Sequence, residues 1–153
     1  MTEQEKQLLL KDLCARLPYG VKATTTSNGW MGVYIVSGYN NDRIYLDCPV
    51  YDEGDDEWLI ESIKPYLCPM SSMTRDEACE MFKTIYNHKV TALDIEQDRI
   101  RYGCIQDGGY GHIVLLFNKI YSIEQMDWLN ANHFDYRGMI EKGLALPAKE
   151  GMY

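Results

Sequence analysis

Two triplets of β-type runs, joined by links too short for a parallel crossover, constrain this chain more than any other feature. The first is VKATTT, WMGVYIV and RIYLDC (21–26, 30–36 and 43–48), linked by SNG and SGYNND. The second is VTALDI, RIRYGCI and HIVLLF (90–95, 99–105 and 112–117), linked by EQD and QDGGYG. Links of three to six residues allow hairpins, whereas a crossover between parallel strands needs about a dozen residues or more. The first triplet therefore reads as an antiparallel meander, and the second as a hairpin followed by a further strand. Asn28-Gly29 suits the positive φ of a tight hairpin turn. Tyr34, Val36, Ile44 and Leu46 share one parity of the meander and contribute to its buried face if that parity turns inward, a choice the pattern leaves open, and the uninterrupted apolar run HIVLLF reads as a buried central strand.

The helices announce themselves by their caps. Thr2 and Glu5 have capping-box spacing ahead of Leu9, Leu13 and Leu17, which recur at helical intervals with Leu10 and Cys14 until Pro18 and Gly20 stop the helix. Thr74 and Glu77 repeat the box before a stripe of Ala78, Met81, Phe82 and Ile85. Ser122 and Gln125 do so before IEQMDWLNAN. Pro65 and Pro69 argue against a regular helix in WLIESIKPYLCPMSSM, which reads as a short strand or turn followed by an extended connection. In NHFDYRGMIEKGLAL (132–146), Asp135 takes an N-cap position and Gly143 the left-handed position that closes a short helix.

The order of elements predicts an α+β chain, with residues 1–153 as a single domain. It has a mostly antiparallel sheet of about five to six strands, an N-terminal helix, a central helix and two short C-terminal helices. A chain of 153 residues suits one compact domain without metal or disulfide support.

Charge and cysteine usage narrow the surroundings. The formal charge of −8 lies almost wholly in the middle third, where residues 51–100 hold twelve acids against five bases. YDEGDDEWLIE (51–61) alone carries six carboxylates and no base. Such a surface repels phosphate backbones and anionic membranes, so direct nucleic-acid or membrane binding is not expected. The five cysteines are odd in number, widely spaced and lack a CxxC pair. With no secretory signal pattern or transmembrane-length run, they indicate a reducing cytoplasm.

Several constellations imitate chemistry. DGGYGH (107–112) precedes a strand rather than a helix, which makes it a hairpin loop and not a phosphate cradle. Cys104, Asp107 and His112 lie within nine residues and supply a thiol with a base, but the setting offers little positive charge beyond Arg99 and Arg101 to stabilise a thiolate. His88, His112 and His133 lack ligand spacing, and DEGDDE fails the calcium-loop pattern, so neither a metal nor another cofactor is expected. Asp94, Glu96 and Asp98 read as solvated hairpin residues. A helix-turn-helix within 122–143 would bring only Arg137 and Lys142 against Glu141 to a phosphate backbone.

IKPYLCPMSSMT (63–74), DWLNANHFDYRGMIEKGLALPAKEGMY (127–153) and LCARLPYGVK (13–22) resemble the signatures of an uncharacterised family of small intracellular proteins of gut anaerobic bacteria, their phages and mobile elements. Where that family's pattern has Arg after KPYL, this chain has Cys68. The resemblance implies a phage or mobile-element context and a host-directed or accessory interaction.

The leading expectation is a non-catalytic protein-interaction module. Its candidate interaction residues are Asp52, Glu53, Asp55, Asp56 and Glu57, with Arg137 and His133 as the polar residues left over from the C-terminal punctuation. One alternative is an acidic nucleic-acid mimic that inhibits a host nucleic-acid enzyme. The other is a small cysteine-dependent enzyme using Cys104 and His112.

Overall fold

The computed structural model describes residues 1–26, 32–47, 56–86, 90–96, 98–106, 109–117 and 119–153, and for 90–92, 104–106 and 109–110 it describes the backbone. The chain is α+β and forms two compact units. The first comprises Met1–Leu67 and Met139–Tyr153, and the second comprises Cys68–Gly138. The second is thus an insertion in the first, with the chain passing between them at residues 67–68 and 138–139.

In the first unit, helix α1 (Glu3–Arg16) starts at Thr2, whose side chain accepts the Glu5 N–H while the Glu5 carboxylate accepts the Thr2 N–H. Leu9 and Leu13 of this helix are buried among residues of a six-stranded sheet. Its strands are β1 (Lys22–Thr25), β2 (Tyr34–Asn40), β3 (Arg43–Asp47), β4 (Asp56–Leu59), β5 (Ile63–Leu67) and β9 (Leu146–Pro147), in the order β4-β3-β2-β1-β5-β9. All pairs are antiparallel except β5 with β9.

The meander turns the parity of Tyr34, Val36, Ile44 and Leu46 inward, and all four are buried. The Asn28-Gly29 turn lies outside the described residues. β2 runs further than the sequence suggests and turns at Asn41, a non-glycine residue at φ +53°, as Asn tolerates. The connection expected after β4 is itself β5, an interior strand in which Pro65 opposes Ala23 and the following Tyr66 pairs with Leu146.

At the end of the β1–β5 ladder a phenol replaces a direct strand contact. The Tyr153 hydroxyl accepts the Lys22 N–H at 3.0 Å and donates to the Tyr66 carbonyl at 2.8 Å. The Lys22 ammonium lies 5.2 Å from the same ring's centroid and donates to the Met152 carbonyl.

In the second unit, helix α2 (Arg75–Tyr86) has the reciprocal box expected of Thr74 and Glu77. It packs with helix α3 (Ile123–Ala131) and a three-stranded sheet of β6 (Val90–Ile95), β7 (Arg99–Gln106) and β8 (Gly109–Leu116). Ala78, Met81 and Phe82 of α2 share a core with Leu93, Ile100, Tyr102, Leu115, Leu129 and Phe134.

HIVLLF is not a central strand. β7 forms hairpins with both β6 and β8 and so takes the middle, leaving β8 at the edge with Val114 exposed and Leu115 buried. Continuous apolarity permits burial of both faces, but the order of pairing decides where the strand lies.

At the C-terminus α3 forms, with the Ser122 hydroxyl accepting the Gln125 N–H, while the Gln125 side chain accepts from Tyr121 rather than from the cap itself. The second expected helix is reduced to turns. Gly138 at φ +65° breaks the helical repeat after Asp135. The predicted ending nonetheless survives: Gly143 has φ +68°, its N–H donates to Ile140, and the Leu144 N–H donates to Met139. This is the pair of bonds that defines a Schellman closure.

Candidate interaction surface

The acidic stretch enters the described structure at its end. Asp52, Glu53 and Asp55 lie outside the described residues, whereas Asp56 and Glu57 begin β4, opposite Leu46 and Tyr45 of β3. β4 is an edge strand whose alternation exposes Glu57 and Leu59 and turns Trp58 toward the core. Acid and apolar residues therefore share one outward face. Glu61, the last carboxylate of the stretch, lies in a short 3₁₀ turn and pairs with Lys6 at 2.6 Å. The Lys6 hydrogen bond and charge hold the Glu61 carboxyl below its usual range, and the same pair raises the Lys6 ammonium. Among the described carboxylates of the stretch, Glu61 is thus matched internally.

The thiol reading finds little geometry. In the β7–β8 ladder Cys104 opposes Gly111 and His112 opposes Gly103, so the two candidates are offset by one register position instead of facing each other. His112 is exposed. Asp107 and the Cys104 side chain lie outside what is described, as does His88. Among the described residues no group of three or more His, Cys, Asp or Glu side chains is gathered as a metal site, and no helix is long and apolar enough to cross a membrane.

At the β6–β7 turn, Arg99 forms a fork with Asp98 at 2.7 and 2.8 Å and also approaches Glu96, which takes a second contact from Arg101 at 3.0 Å. These carboxylates are exposed but ion-paired, and the Arg99 hydrogen bonds lower the Asp98 carboxyl.

His133 and Arg137 belong to a different environment from the one their polarity suggests. His133 is buried, at φ +57°, and so does not belong to an exposed recognition surface. Its N–H bonds to Asn130 and its carbonyl accepts from Cys68, which in turn accepts the Asp135 N–H. Asp135 is buried as well, and its carbonyl accepts from Gly138. Around this bridge Phe134 stacks on Trp128 at 5.8 Å and the Tyr136 hydroxyl bonds to the buried Asn130. Arg137 is half-buried, its guanidinium 4.7 Å from the Tyr136 ring centroid, a contact worth about 0.5–1 kcal/mol at such sites.

One constellation escapes the sequence altogether. Asp12 and Arg16, four residues apart on α1, have side chains with 0% exposure and form a two-pronged ion pair at 2.9 and 3.1 Å. Their spacing is also that of an ordinary surface pair, so only the burial of Leu9 and Leu13 on the same helix could have hinted at it. Comparison with protein-family models, curated proteins and solved structures finds no match to this chain.

Proposed function

We propose that this chain is a non-catalytic, cytoplasmic protein-interaction module of phage or mobile-element type that recognises a basic surface on a protein partner through its acidic stretch. The observation that carries the reading is the placement of Asp56 and Glu57 at the start of an edge strand, with Glu57 and Leu59 exposed. Charge there steers a basic partner, and the neighbouring apolar surface supplies contact area. The reducing compartment rests on cysteine usage, five cysteines without a CxxC pair.

Affinity capture from host lysate, comparing wild type with Asp55→Asn/Asp56→Asn/Glu57→Gln, tests the proposal. A specific protein partner held by wild type and lost by the variant supports it. A partner retained equally by both, or none with wild type, overturns it. Captured nucleic-acid enzyme that DNA displaces would instead favour the acidic mimic.

A further inference from the structure

Among the described residues there are four sheet edges, and three of them carry devices that discourage strand addition. β4 is four residues long and begins with two carboxylates. β9 is two residues long and includes Pro147. β6 has a register shift between Val90 and Ala92 and carries Asp94. β8 differs on every count. It pairs with β7 through eight consecutive residues without a shift, and its sequence, GYGHIVLL, contains no proline and no Asp, Glu, Lys or Arg.

Its far end is already closed. The Leu116 N–H donates to the Tyr121 hydroxyl and its carbonyl accepts from Lys119, while the next N–H, Phe117, turns toward Asp98 of the β7 side. Main-chain groups of an antiparallel strand alternate in direction. Val114, two residues before Leu116, accordingly turns its N–H away from β7, and its side chain is 40% exposed.

We propose that β8 is a self-association edge, where a second copy of this chain adds its own β8 antiparallel about a two-fold axis near Ile113. Charge selects the occupant. An ionised side chain laid beside Ile113 and Leu115 would lose water without gaining a partner, and a second β8 is a strand of this chain that brings none. The acidic stretch 51–61 belongs to the first unit, while the second holds ten acids and seven bases, a net −3.

The pairing also closes. It merges two three-stranded sheets into one of order β6-β7-β8-β8-β7-β6, and the new outer edges are the shifted β6 strands. Growth stops at a symmetric dimer. So short a seam belongs with the weak, transient class of interfaces.

Sedimentation velocity on the full chain, from about 1 μM to about 1 mM, tests this inference. Val114→Pro removes an outward N–H and spares the β7 ladder. Val114→Glu sets a carboxylate opposite Arg101 in the β7–β8 register, which supports the hairpin and charges the edge. Wild type should shift from monomer to dimer as concentration rises. Both variants should remain monomeric, with the circular dichroism of Val114→Glu unchanged. A monomeric wild type across the range, or a dimer that persists in Val114→Glu, overturns the inference. Because the acidic stretch takes no part, Asp55→Asn/Asp56→Asn/Glu57→Gln should dimerise like wild type, which separates this result from failure of the acidic-surface reading.

Discussion

At the scale of single residues, the Asp12–Arg16 pair places the heaviest demand on the fold. Both side chains are fully buried, so each makes the other tolerable. Breaking a buried pair by removing one partner costs about 3–5 kcal/mol, whereas replacing both with apolar residues is often neutral or stabilising. Asp12→Ala should therefore lower the denaturant-unfolding free energy by that amount, and Asp12→Leu/Arg16→Met should recover most of the loss. Equal destabilisation by the single and double variants would refute the pairing account. Gly143 poses a purely backbone question. Nothing lies within 4 Å of a Cβ built there, yet φ is +68°, so Gly143→Ala should cost about 1–2 kcal/mol through the left-handed backbone alone. The two sites also differ in how far the sequence discloses them. Gly143 follows a short apolar-periodic segment, a local pattern with a local cause, whereas burial of Asp12 and Arg16 depends on what α1 packs against.

At the scale of elements, local chemistry was legible and neighbour choice was not. The boxes at Thr2 and Thr74 form because all their partners lie within one turn, and alternation grouped Tyr34, Val36, Ile44 and Leu46 on one face because a strand needs only its own period, while the packing decides that this face turns inward. HIVLLF misled because apolarity is shared by central and edge strands, and the candidate surface was legible as charge but not as a sheet edge. The Tyr153 phenol shows the same non-local dependence, since it joins groups from β1 and β5. Tyr153→Phe should cost about 1 kcal/mol and speed hydrogen exchange at the Lys22 amide several-fold. The β6–β7 turn has a pH signature. Arg99 lowers the folded-state carboxyl of Asp98, so the contribution is complete above the unfolded carboxylate range near about pH 4 and is lost as pH falls through the lower folded value. Amide protection around 95–99 should decline on acidification through that window and in about 1 M salt. Asp98→Asn should abolish the part of the acid dependence that belongs to Asp98.

At the scale of the whole molecule, the insertion of one compact unit into another raises the question of which segments carry enough information to fold. Residues 68–138 hold two helices, a three-stranded sheet and their own buried cluster. Their ends are also joined by main chain: Cys68 bridges Phe134 in parallel pairing, with its N–H on His133 and its carbonyl on Asp135. Such adjacency of termini is what lets a unit be excised without leaving long frayed ends. The NHFDYR segment thereby acquires a physical role, since its buried His133, Phe134 and Asp135 seal the unit's exit against its entry. The fragment 68–138 should accordingly give a cooperative thermal transition, and its near-ultraviolet circular dichroism should report the packed Trp128–Phe134 and Phe82–Tyr102 rings. Phe134→Ala in that fragment removes an aromatic from the seal and the core at once. It should cost about 3–5 kcal/mol, enough to unfold a unit this small at room temperature. A fragment that melts without cooperativity, or one indifferent to Phe134→Ala, would show that the seal does not supply the closure argued for it.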